Sequence, residues 1–408
     1  MGWNFYTAFA VVAVIMFLGD LAALKSRGRI PSLLIIAVCF LAGYWTIFPA
    51  DILDISMVNS VRTITMAVIL LHVGAMFNLK ELLQEWRAVI ITLLAILGIV
   101  AVAGGLGWLI FGKNTALVAI PPLTGGGLAT MIMSDAADGL GMADLAMMST
   151  IIYIMQGFVG FPMTSFMLRR AGLKLLADYR AGKATALPGI QNPFAAADTA
   201  AKKTLCDRIP ERCKTTSYYM AKLSVLALVV VVITKLTGIN SSLLMIVVGV
   251  LAANFGLLER DPLKKANAFG FLMMCLTASF MRYFADSTPT QVVSLILPVV
   301  AFLALATVGI CLFSLPLAKK FGYPRELAIA IGLNCFLGFP HNFILTNEAV
   351  GAVAETPEEA KYLSDILMTT TRLGTTAGAT KPTMRCTTGR SMCPFSAKSR
   401  EQLNIPAS

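Results

Sequence analysis

Two short stretches gather residue types that bind ions or small acids inside otherwise apolar sequence. The first, "PPLTGGGLATMIMSD", holds Pro121, Pro122, Thr124, Gly125, Gly126, Gly127, Thr130, Ser134 and Asp135. The second, "GLNCFLGFPHNFILTNE", holds Asn334, Gly338, Pro340, His341, Asn342, Thr346, Asn347 and Glu348. Proline stops a helix from continuing, and glycine lets backbone approach a bound solute. Carbonyls and hydroxyls freed at such a break suit a small hard cation such as Na⁺, and N–H groups at the start of a half-helix suit a carboxylate. Irregular backbone at bilayer depth is costly and survives only where it is buried in protein or lines a wet cavity. Two readings stand for the first stretch, a re-entrant hairpin and a kinked ordinary helix. Asp135 and Glu348 face an aqueous path or sit at the solvated end of a hairpin.

The elements that must position these residues are apolar helices. The 408 residues are 57% hydrophobic and 13% charged, with a mean hydropathy of +0.76, which predicts an all-α polytopic membrane protein. Spans are expected near 5–24, 31–49, 62–78, 88–111, 146–168, 219–237, 241–258, 268–284 and 291–317. The net charge of +11 falls in short runs between apolar stretches, so it is assigned to topology and not to nucleic acid. "KSRGR" and the basic stretch from Arg169 to Tyr218 fall in the cytoplasm of a cell (inner) membrane if the N-terminus is outside. No cleavable signal is expected, because no basic residue precedes the first apolar run. The predicted organisation is a first transmembrane repeat over 1–168, a cytoplasmic linker over 169–218, a second repeat over 219–368 and a polar tail over 369–408.

Charged residues within the spans have competing readings. Asp20 faces headgroups or pairs with Lys25, and His72 is a packing histidine or a proton carrier. Arg282, in "TASFMRYFADS", clasps a substrate carboxylate, reaches the outer interface or pairs with Asp286. No nucleophile elbow, HExxH or Walker loop is present, only two histidines occur, and no enzyme, organic cofactor or metal centre is expected beyond a coupling sodium ion.

The halves resemble each other. "FGKNTALVAIPPLTGGGLATMIMSDAA" can be laid on "FGYPRELAIAIGLNCFLGFPHNFILTNEA", with "MIMSD" against "FILTN". An odd number of spans per half makes such repeats antiparallel across the membrane. The order of features, from "IPSLLIIAVCFLAG" and "HVGAMFNLKELLQEW" through the glycine-rich break to "LLMIVVGVLAANFG" and "GLNCFLGFPHNFILTNEA", resembles the sodium/glutamate symporter family over roughly residues 5–368. That resemblance implies two inverted five-helix repeats, each with a re-entrant hairpin, in a homodimer. It also implies sodium-coupled movement of a small anionic solute, such as glutamate or another carboxylate, by an elevator-like motion. It carries site roles onto Thr124 to Gly127, Thr130 and Ser134, and onto Asn334, Gly338 to Asn342 and Thr346. Where the family has a Gly-Gly-His-Gly type signature, this chain has Thr124, Gly125, Gly126 and Gly127, and its His341 is in the second break.

After "YLSDILM" the family pattern calls for a last apolar span, yet the tail carries Arg372, Lys381, Arg385, Arg390, Lys398 and Arg400. A frameshift or gene-end change that replaced the last span is the expected cause; the absence of an apolar coding stretch in another frame beyond codon 368 would exclude it. Two alternatives to a sodium symporter follow. One is a proton-coupled carrier or exporter, which would use His72, His341, Asp135 and Glu348. The other is a truncated, non-transporting membrane protein.

Overall fold

Four helices begin where a polar side chain, of Asn4, Thr215, Asn240 or Thr288, takes one of the first free N–H groups. Asn4 accepts from the Thr7 N–H at 3.0 Å while Thr7 Oγ1 accepts from the Asn4 N–H at 3.0 Å, a reciprocal cap that opens α1 (Phe5–Lys25). Thr288 and Gln291 form the same box before α12 (Pro289–Phe321). That helix ends on Gly322 in the left-handed region, with φ 73°, a conformation glycine adopts without a Cβ penalty.

The computed structural model describes residues 2–26, 31–76, 86–181, 210–259, 261–337 and 341–372. The remaining helices of the first half are α2 (Ser32–Thr46), α3 (Ile52–Ile55), α4 (Val58–Met76), α5 (Trp86–Phe111), α6 (Lys113–Gly139) and α7 (Ala143–Arg180). The second half contains α8 (Thr216–Thr237), α9 (Ser241–Asn254), α10 (Pro262–Lys265), α11 (Phe269–Phe284), α12, α13 (Arg325–Leu337), α14 (His341–Val353) and α15 (Pro357–Arg372). No strand occurs among the described residues.

Seven of these helices, α1, α4, α5, α6, α7, α8 and α12, are long and apolar enough to cross a membrane, and the chain is an all-α, multi-pass membrane protein. The expected spans at 31–49, 241–258 and 268–284 are shorter apolar helices. At α2 the reason is local. Ile47 and Phe48 both donate N–H to the Gly43 carbonyl, at 2.8 and 2.7 Å, and the Phe48 ring fills the space where a Gly43 side chain would be. Helix α6, which carries the first break, replaces them in the set of long helices.

Two glycine crossings hold the bundle. In α5 against α12, a Cβ on Gly98 would lie 2.4 Å from the Gly309 carbonyl oxygen, and one on Gly309 would lie 2.4 Å from that of Gly98. In α4 against α9, Gly74 and Gly249 meet the carbonyls of Ile246 and Leu71 at 2.4 and 2.5 Å in the same sense. With lipid outside, such close approach supplies dispersion contact that larger residues would forbid. Just after Gly98, α5 passes through a π-turn at Ile99–Gly104, a loosened turn that takes up an extra residue.

The two ends of the bundle are held by different sets of ion pairs. At one end Lys174 donates to Glu326 at 2.5 Å, Arg180 Nε donates to Glu359 at 2.6 Å, and Lys214 pairs with Glu259 at 3.2 Å. The opposite end holds the Trp45 indole N–H donating to the Ser287 carbonyl at 2.9 Å, with Asp135, Asp138, Arg62 and Arg282.

Candidate functional site

The residues of the first break are all described. Pro121 and Pro122 lie inside α6, and Gly126 interrupts its helical geometry with φ 61° and ψ −148°. Only glycine adopts that combination at low cost. The bend divides α6 into two arms, 113–125 and 127–139. Thr124 Oγ1 donates back to the Ile120 carbonyl at 3.1 Å, within the last turn of the first arm. Thr130 Oγ1 donates to the Gly126 carbonyl at 2.9 Å, so the threonine closes the first turn of the second arm. Gly127 must be a glycine for another reason: a Cβ there would lie 2.8 Å from the Tyr153 hydroxyl on α7.

Further along the second arm, Ser134 is buried and donates to the Ala146 carbonyl at 3.1 Å, beside Thr150 Oγ1 at 3.4 Å. Ser134 therefore joins the arm to α7. Asp135 is paired with Arg62 of α4 and accepts a hydrogen bond from the Tyr283 hydroxyl of α11. Arg282 pairs with Asp138 at 2.7 Å, and its guanidinium lies 5.0 Å from the Tyr283 ring centre. Of the partners considered from sequence, Asp286 is not the one used. The partner is Asp138, 144 positions away in sequence, which reaches Arg282 across the end of the bundle through its side chain. Asp135 and Arg282 thus form a neighbouring pair of clasps at one end of the bundle.

In the second break, Asn334 and Thr346 are buried at 1% and 0% exposure. Helix α13 ends at Leu337 and α14 begins at His341. Gly338 and Pro340 lie outside the described residues, as do the side chains of His341, Asn342 and Asn347. Gly160 of α7 faces the end of α13, where a Cβ would sit 2.9 Å from Leu337. Helix α7 therefore touches the first bend through Tyr153 and the end of α13 through Gly160.

Sequence reasoning missed the α7 side chains between and beside those contacts. Ser149, Gln156 and Thr164 are buried, and Ser149 Oγ, Thr164 Oγ1 and both amide atoms of Gln156 have no hydrogen-bond partner among the described residues. Each such atom costs about 1–3 kcal/mol while unpaired. The signal was present in "MSTIIYIMQGFVGFPMTSF", where polar and small residues recur at helical spacing in an apolar run.

His72 has a packing environment. It is fully buried, its ring centre lies 5.4 Å from that of Phe269, and its Nδ1 accepts the Leu263 N–H at 3.5 Å. At the charged end, burial alone would raise the pKa of Glu259, but hydrogen bonds from Lys265, Lys214 and Tyr219 hold it below its ordinary value. Glu359 is held down at about 2, chiefly by its hydrogen bond from Arg180 and next by the Glu355 N–H. Among the described residues, no group of three or more His, Cys, Asp or Glu side chains gathers to hold a metal ion. No protein-family model matches the chain, and no curated protein matches it.

Proposed function

We propose that the protein is a sodium-coupled secondary carrier of a small carboxylate, built from two inverted repeats and binding its solute between two re-entrant hairpins. The observation that carries this is the bend at Gly126, a one-residue interruption between two arms deep in an apolar bundle. The first arm leaves carbonyls without helical partners and the second begins with free N–H groups. A hard cation and a carboxylate need those two groups respectively.

Contacts support a hairpin. Gly104 meets Ile120, so 113–125 runs back along α5, and Ser134 meets Ala146 and Thr150, so 127–139 runs against the start of α7. In the second half, Gly160 meets Leu337 and Lys174 meets Glu326, so α13 runs against α7. Gly172 of α7 faces Val353, so α14 runs with α7 and back along α13. Helices α13 and α14 are 13 residues each, the length of each arm of α6.

The repeat has matching support. Helices starting at Phe5, Ser32, Ile52, Val58, Lys113 and Ala143 have counterparts starting at Thr216, Ser241, Pro262, Phe269, Arg325 and Pro357, all about 210 residues later. The short helices α3 and α10 are both followed by a non-glycine residue of positive φ, Met57 at 60° and Asn267 at 51°. The counterpart of α7 is α15, a helix of 16 residues that is not among the long apolar set. Basic residues at the Arg180 end make that end cytoplasmic and put the N-terminus outside.

Purified protein in liposomes tests the function. Uptake of labelled L-glutamate, L-aspartate, succinate or citrate is expected to follow an imposed sodium gradient. Uptake that ignores sodium for all four, or responds only to a pH gradient, overturns it.

A further inference from the structure

Polar and small residues of α7 fall on a single face. Ser149, Tyr153, Gln156, Gly160 and Thr164 recur at intervals of four, three, four and four residues, which keeps them in one arc of an α-helix. Tyr153 on this arc meets Gly127 at the first bend, and Gly160 meets Phe336 and Leu337 at the end of α13. Gln156 lies between these two contacts. It is 1% exposed, and neither Nε2 nor Oε1 has a partner. Ser149 and Thr164, above and below it on the same arc, are fully buried and have unpartnered hydroxyls.

Buried polar groups in proteins are almost always paired, and clustered exceptions mark places where something else supplies the partner. Three such side chains on one arc, spanning the level at which Gly127 and the end of α13 meet α7, form a polar stripe and not an isolated packing fault. An apolar bundle would accept Leu or Met at these positions more cheaply.

We infer that this face of α7 walls the solute site and that Gln156 is its central ligand, Nε2 donating to the solute carboxylate and Oε1 facing the positive charge that accompanies it. This rests on the carrier reading above. No charged side chain stands on this arc, at 121–130 or at 334–337. A net charge brought there would be buried uncompensated, so the ligand enters neutral overall. The positive charge comes from Na⁺ or from the solute's own ammonium group.

The test compares wild-type protein with Gln156→Ala and with Gln156→Met, which keeps the volume and removes both polar groups. Each is reconstituted in liposomes, and uptake of L-glutamate, L-aspartate, succinate and citrate is measured against sodium concentration. Loss of a hydrogen bond to a charged group is expected to raise KM about 10- to 100-fold, with the half-saturating sodium concentration rising too. Gln156→Met is also expected to melt at or above the wild-type temperature, because it removes two unpaired polar atoms. A glutamine with only a structural role would give a lower melting temperature and an unchanged KM. An absolute sodium requirement for succinate and citrate would assign the positive charge to the ion; sodium-independent carriage of all four solutes would overturn the sodium-coupled reading on which the assignment rests. If the wild type carries none of the four solutes, the carrier reading itself fails. If the wild type transports and both variants keep their KM for solute and sodium within twofold, only the assignment of Gln156 fails.

Discussion

The Gly98–Gly309 crossing and the polar face of α7 are both buried inside the bundle, yet they are built on opposite terms. At the crossing, backbone lies against backbone and no space is left. On α7, hydroxyls and a carboxamide are enclosed without partners. Close packing without polar groups stabilises a membrane bundle and resists change. Enclosed, unpaired polar groups cost stability and keep it in reserve for a partner. On the proposed reading, stability and binding capacity are divided between α5–α12 and α7.

Substitutions can break that division. The largest effect is expected at the crossing: Gly309→Leu would force α5 and α12 apart, destabilising by about 3 kcal/mol or more. Loss of a monodisperse peak on size exclusion in detergent would report it, and an unchanged melting temperature would break the comparison. Next comes Gly126→Ala, since the backbone there, φ 61° and ψ −148°, costs any other residue about 1–3 kcal/mol. The protein is expected to remain folded with a lower melting temperature and to lose uptake, which separates the bend from the crossing.

Arg62→Gln is expected to have a smaller effect. Arg62 has a 12% and Asp135 a 37% exposed side chain, so the pair is partly screened and is expected to contribute about 1 kcal/mol. The loss should be sharper in low salt than in high salt, measured by melting. Smallest is the pH response of the α15 clamp. The Glu359 pKa is depressed to about 2, so its contribution is present above the ordinary carboxylate value and lost only as pH falls through about 2. Protection factors of the α15 amides, which remove the intrinsic pH dependence of exchange, should therefore be largely kept from pH 7 to pH 4 in the wild type and fall below that, while Arg180→Ala brings fraying up toward the ordinary carboxylate range, roughly pH 4.

Much of the architecture was legible in the sequence because hydropathy and helix breakers are local signals. Apolar runs mark the helices, and Pro121, Pro122 and the three glycines mark the bend to within a few residues. Span ends were less legible where the chain folds onto itself, as Phe48 does over Gly43. Pairings were least legible. Arg282 finds Asp138 and Asp135 finds Arg62 only because α4, α6 and α11 converge, a fact of tertiary packing. Gln156 was overlooked for a similar reason: one amide in an apolar run gains meaning only when its neighbours turn out to be the two breaks.

The bend at Gly126 also has a mechanical consequence. A single residue offers two soft torsions, and here both are committed to joining the arms. Those torsions permit the angle between the arms but do not fix it. The angle is held from outside, by Ile120 of the first arm against Gly104 of α5 and by Ser134 of the second arm on the Ala146 carbonyl of α7.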